Sequence, residues 1–135
     1  MKVDFFDLET ATAEDVAETI VTHMFAQGEQ CKDAEGSCVY LNEQGLRCAA
    51  GVLFASPRCK GVLKKAEGWQ WGHLVRTGVA PKAHRELIHS LQRAHDLYTP
   101  AEWPKVLRQR LVHLGFSPEW CDRLINSQTQ ENGNG

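Results

Sequence analysis

The chain has 135 residues, 42% of them apolar and 24% charged, with a net charge of -2. That length suits one domain able to bury a core without a metal or disulfide staple. No apolar run approaches a membrane span. The near-neutral total hides an asymmetry. Residues 1–57 carry three Lys/Arg against ten Asp/Glu, whereas residues 58–123 carry twelve against six. Such a split either orients a charged partner or reflects opposite charges that meet within the fold.

The opening, MKVDFFDLETATAEDVAE, is acidic and lacks the apolar centre of a secretory signal. A cytoplasmic location is therefore expected. Five cysteines, an odd number, fit free thiols in a reducing compartment. Phe5, Phe6 and Leu8 are too apolar for a free tail and are expected to pack on the first helix or form a short strand. That helix starts after Thr12, with Asp15 three residues on, and carries the stripe Val16, Ile20, Met24 to a stop near Gly28.

EQCKDAEGS reads as a loop. CVYL and GLRCAA then alternate on either side of NEQG, which predicts a β-hairpin with Cys48 facing the core and Arg47 facing away. A hairpin alone is unstable in water, so helices must cover it. The small residues Ala49, Ala50 and Gly51 would let a helix approach closely. Residues 58–65 form a short helix or turn. In EGWQWGHLV, Trp69 and Trp71 share strand parity. Pro81 is expected to open the longest helix, PKAHRELIHSLQRAHDLY. Thr99, Pro100 and Glu102 start another helix, which Gly115 ends, and Ser117–Pro118 start the last. No internal repeat is evident. The expected fold is α+β: four or five helices around a small antiparallel hairpin, in one compact domain over residues 1–126. Residues 127–135, NSQTQENGNG less its first residue, read as a disordered polar tail.

The chemistry-bearing residues point away from several classes. The cysteine spacings C-x6-C, C-x9-C and C-x10-C lack the tight pairs of structural zinc. On one helix, His89 is rotated about 140° from His84, and His95 sits about 16 Å along the axis from His84. None of these pairs can chelate one ion, which leaves only a long-range set such as Cys31, Cys38 and His73. No cofactor is expected. Phosphate-loop, dinucleotide, zinc-deaminase, serine-hydrolase and zinc-protease motifs are all absent. If the chain were an enzyme, Cys48 or Cys59 would be the nucleophile, with His73 or His84 as base. Arg58 and Lys60 would lower the Cys59 thiol pKa if it were exposed. The strand parity of Cys48 favours burial instead.

Cations in the second half also admit nucleic-acid binding, although no known DNA-binding sequence pattern accompanies them. For a protein partner, Trp69 and Trp71 are candidate anchors. Lys82, Arg85 and Arg93 are candidate contacts for an acidic surface, Arg85 and Arg93 lying about 80° apart around a helix. Sequence sets no oligomeric state.

Cys38, Tyr40, Gly45, Arg47, Cys48, Ala49 and Gly51 match a C-x-Y…G-x-R-C-A-x-G pattern, followed by Leu91, Gln92, Arg93, Ala94, His95 and Asp96. In these residues the chain resembles a family of small uncharacterised bacterial and phage proteins, over residues 14–115. It departs from that family at FASPRCKG, where an apolar-Pro-acidic segment is usual. The resemblance implies a small mobile-element or host-interaction protein and assigns no catalytic residue. The resulting expectation is a non-enzymatic protein-binding module of phage type that modulates a bacterial protein. The alternatives are a cysteine-dependent hydrolase or transferase, and a nucleic-acid-binding regulator.

Overall fold

Local punctuation sets most of the helices. The Thr12 hydroxyl accepts a hydrogen bond from the Asp15 amide at 3.1 Å, and Gly28 ends the helix in left-handed backbone with φ 69°. The computed structural model describes residues 2–133. Its α-helices are α1 (Ala13–Gln27), α2 (Lys60–Ala66), α3 (Trp71–Arg76), α4 (Arg85–Leu97), α5 (Trp103–His113) and α6 (Pro118–Gly133). The Thr99–Glu102 capping box opens a 3-10 turn that leads into α5. The Ser117 hydroxyl accepts from the Trp120 amide at the start of α6. No helix among the described residues is long and apolar enough to cross a membrane.

The apolar stripes meet in a closed ring. α1 packs on α4 and α6, α5 packs on α4 and α6, and α3 lies against the outer side of α4. Buried Ile20, Met24, Leu91, Trp103, Leu107 and Leu111 fill the ring. A second aromatic group, Phe5, Phe54 and Trp71, closes one side, with Phe5 and Phe54 stacked at 5.2 Å. Phe5 sits in a 3-10 turn, Phe5–Asp7, whose Asp4 side chain caps the Phe6 amide. Arg58 bonds Asp4 at 3.0 Å and Asp7 at 3.2 Å, which ties this turn to the start of α2.

The expected α+β fold is corrected: the described residues contain no β-strand. The predicted hairpin region holds only two isolated antiparallel bridges, Lys32–Cys38 and Leu41–Arg47. The reason lies in where its backbone groups bond. Gln27 of α1 binds both backbone groups of Arg47, accepting from the amide and donating to the carbonyl, each at 2.8 Å. His23 of α1 donates to the same carbonyl. Gln92 of α4 accepts from the Ala50 amide at 2.8 Å. With helix side chains holding these groups, a second strand has few left to pair with. The chain then coils into a 3-10 turn at Gly51–Phe54 rather than extending.

A tandem turn replaces the hairpin, so the segment does contain a repeat, with a period of nine residues. Asp33 Oδ1 accepts from the Glu35 and Ser37 amides, and Asn42 Oδ1 accepts from the Gln44 and Leu46 amides. The Val39 amide donates to the Cys31 carbonyl, as the Cys48 amide does to that of Tyr40. Gly36 (φ 84°) and Gly45 (φ 83°) occupy the same left-handed corner of each turn. The side-chain amide of Asn42 donates to the Lys32 carbonyl at 2.9 Å, joining one turn to the other.

Three smaller differences follow from local geometry. Pro81 does not open α4. His84 adopts positive φ (62°), its ring donates to the Ala11 carbonyl at 2.8 Å, and the helix starts at Arg85. Trp69 and Trp71 share no strand face, because Trp71 begins α3 and is buried while Trp69 precedes it and is exposed. From residue 127 the chain continues α6 to Gly133, and the last two residues of the expected tail lie outside the described residues.

Gly51 serves the turn and not a helix approach. A Cβ at that position would collide with the backbone carbonyl of Tyr40. Gly51→Ala should therefore cost about 3 kcal/mol or more, the upper range for overpacking, read as a drop in the denaturant midpoint. Gly61, within α2 and with open space around it, should gain about 0.5–1 kcal/mol on replacement by Ala. Asp4 supplies a pH test. Partial burial opposes its ionisation, but hydrogen bonds from Arg58, Ser56 and the Phe6 amide outweigh that and lower its pKa to about 2. A depressed carboxylate stabilises the fold above its ordinary value of 3.8, and that contribution is lost as pH falls through about 2. Asp4→Asn should flatten unfolding free energy across that window while leaving its dependence at higher pH unchanged.

Candidate functional site

The tandem turn and α4 enclose a groove of about 500 Å³. One wall is turn backbone and side chains, including Asp33, Cys38 and Tyr40. The opposite wall is α4, through His89, Arg93, Asp96 and Leu97, and the segment Gly68–Trp71 closes the end. This volume falls in the range of sites that take small molecules or inserted side chains.

The α4 wall is built from residues that also hold the turns. His95 is fully buried, accepts from the Cys31 amide through Nε2 at 3.2 Å and donates through Nδ1 to Asp96 at 2.8 Å. Both ring nitrogens are thus committed, which fixes the tautomer with hydrogen on Nδ1. Asp96 also accepts from Gln92 Nε2 at 2.8 Å. Burial pushes its pKa upward, but the bonds from His95, Gln92 and Cys38 outweigh this and hold it ionised. Gln30 donates to the carbonyls of His95, Asp96 and Tyr98, capping the end of α4. The LQRAHD segment singled out by resemblance thereby meets the GLRCAAG segment directly. Spacing alone did not reveal this role for Gln30, Gln92 and His95. For Gln92 and His95 the one visible signal was polar side chains recurring among the buried positions of a helix; Gln30, in irregular chain, gave none.

The Tyr40 hydroxyl donates to the Trp69 carbonyl at 2.6 Å and fixes the backbone beneath that indole. The Trp69 ring stacks on His73 at 4.1 Å with 15° between planes. Trp69 is 53% exposed and Leu97 57%. The third large apolar residue exposed among the described ones, Phe6, is 53% exposed and lies outside the groove, with the Arg58 guanidinium 5.3 Å from its ring centre. Trp69 and Leu97 both line this one groove.

The other predicted site residues are dispersed. Cys48 lines the groove but is buried. Its sulfur accepts from the Gly51 amide at 3.2 Å, and desolvation pushes its thiol pKa upward. Neither His73 nor His84 bonds it; His73 underlies Trp69, and His84 is anchored to Ala11. Cys59 is buried against the Leu53 carbonyl, while its neighbour Arg58 turns outward to Asp4. Among the described residues no three His, Cys, Asp or Glu side chains gather as metal ligands, so Cys31, Cys38 and His73 do not converge. Trp71 is a buried member of the aromatic group, with its indole N–H unpartnered. Arg93 lines the groove, Arg85 is exposed one turn beyond His89, and Lys82 lies in the turn before α4, its carbonyl accepting from the Arg85 amide.

No family model, curated protein or solved structure matches this chain.

The thiols provide a measurable order of reactivity. Cys38 is exposed, yet desolvation, with Asp96 beside it, raises its pKa to about 11. Native-state alkylation should modify Cys38 first, slowly near neutral pH, and about tenfold faster per pH unit up to about 11. Cys31, Cys48 and Cys59 should react only on unfolding. Rapid labelling of Cys48 in the folded protein, located by peptide mapping, would refute this order.

Proposed function

We propose that this chain is a non-enzymatic protein-binding module, a small phage-type modulator of a bacterial protein. The observation that carries the reading is the pairing of Trp69 and Leu97 at one groove. Large exposed apolar groups that converge mark interaction surfaces, whereas scattered ones do not. Trp69 also arrives rigid, its carbonyl held by Tyr40 and its ring stacked on His73. A fixed indole loses little entropy on binding, which is why tryptophan dominates interface energetics.

The cysteine-hydrolase alternative has less support. Cys48 and Cys59 are buried with their sulfurs engaged, and the thiol of Cys48 favours the neutral form. A nucleophile needs the thiolate and an open approach.

The test is capture from nuclease-treated bacterial lysate at moderate salt, comparing wild type with Trp69→Ala and Leu97→Ala. Both residues are exposed, so the variants should keep the wild-type unfolding midpoint. A protein partner held by wild type should bind Trp69→Ala about thirtyfold more weakly, the effect of losing ~2 kcal/mol at an interface centre. Recovery of nucleic acid alone, or a partner indifferent to both truncations, would reject the reading.

A further inference from the structure

We infer that the groove takes an acidic segment of a partner protein, which lays an apolar residue on Trp69 and its carboxylates along Arg85, His89 and Arg93. This deepens the protein-binding reading above and rests on it. The first observation is a set of cations without counter-charges. Ion pairs among the described residues join Arg58 to Asp4 and Asp7, and Arg108 to Asp122. Among the described residues, Arg76, Arg85 and Arg93 pair with no carboxylate.

The second observation is that these cations are crowded together. A Cβ on Gly72 of α3 would lie 3.7 Å from Arg76 Nη1 and 3.8 Å from Arg85 Nη2, so the two guanidiniums converge over that glycine. Arg85, His89 and Arg93 follow at four-residue spacing, a single stripe along α4. Arg110 of α5 reaches the same side, donating to the Ser90 carbonyl at 3.4 Å. Burial first, and then Arg93, Arg85 and Arg110, disfavour a proton on His89. Like charges gathered this way repel one another, and an anion laid across them relieves the repulsion.

The third observation selects among anions. Asp33 and Asp96 line the same groove as Arg93. A nucleic-acid backbone, charged at every step, would meet these carboxylates at the turn end. A peptide can end its acidic run before them and offer its own N–H groups there. The exposed indole and Leu97 beside the cations supply the apolar seat. The recognised chemistry is therefore a short run of Asp or Glu next to a large apolar residue.

Fluorescence anisotropy tests this with a labelled synthetic peptide carrying four glutamates followed by leucine and phenylalanine. Its glutamine counterpart and a labelled oligouridylate serve as comparisons. The glutamate peptide should bind wild type at least tenfold more tightly than the glutamine peptide. Arg85→Glu/Arg93→Glu should abolish that difference, as should Arg85→Gln/Arg93→Gln, and the difference should shrink as salt rises. Equal binding of the two peptides, both weakened by Trp69→Ala, would overturn the acidic assignment and leave the protein-binding reading standing. Absence of peptide binding, or tighter binding of oligouridylate, would also overturn it. Lysate capture separately shows whether a Trp69-dependent protein partner remains.

Discussion

Residues 28–51 form a long stretch of backbone with almost no regular structure of its own. Its amides and carbonyls must still be satisfied where they are buried. Four helix side chains meet part of that demand. Gln27 brackets Arg47, His23 donates to the same Arg47 carbonyl, Gln92 accepts from Ala50 and His95 accepts from Cys31, while Gln30 reaches back from the segment to cap α4. Each bond crosses between elements far apart in the chain. The turns and the helix ring therefore stabilise each other, and neither has its present form without the other.

The groove is a by-product of this arrangement. Because α4 supports the turns through Gln92 and His95, a cleft remains along the helix surface that lies between them. Asp96 sits where support and cleft meet: it orients His95 and Gln92 and also lines the groove. Tyr40 has a similar double position, packed against Phe54 on one side and bonded to the Trp69 carbonyl on the other. The surface that carries Trp69 is thus fixed by the buried framework.

Features encoded within a few residues were legible in the sequence. Thr12 with Asp15, Gly28, Thr99 with Glu102, and Ser117 before Pro118 all cap or end helices as their spacing indicates. Cys48 is buried as expected, but in a turn and not through the strand parity with Leu46 on which that expectation rested. Features that depend on distant partners were not legible. CVYL and GLRCAA alternate as strands do, but four residues of alternation cannot reveal that Gln27 and Gln92 will claim the backbone. The parity of Trp69 and Trp71 misled for the same reason: a helix starts between them. Arg85 and Arg93 were placed on one broad face by helical geometry. The addition of Arg76 needed the packing of α3 on α4. The nine-residue repeat was present in the letters as Asp33-x-x-Gly36 and Asn42-x-x-Gly45. It was hidden because the other positions differ and because hairpin alternation seemed a sufficient reading.

Each of those turns closes on itself, and Asn42 carries the group that links its turn to the one before. Buried Cys31 and Tyr40 occupy equivalent places, as do Val39 and Cys48. This gives the segment a natural unit of evolutionary length change. A duplication or loss of nine residues returns the chain to the same phase, with its inward positions still inward. An insertion of any other size rotates the following residues out of phase and pulls the Tyr40 ring from beneath the Trp69 carbonyl. Divergence in this part of the molecule should thus proceed by whole turns, while the flanking helices keep their lengths.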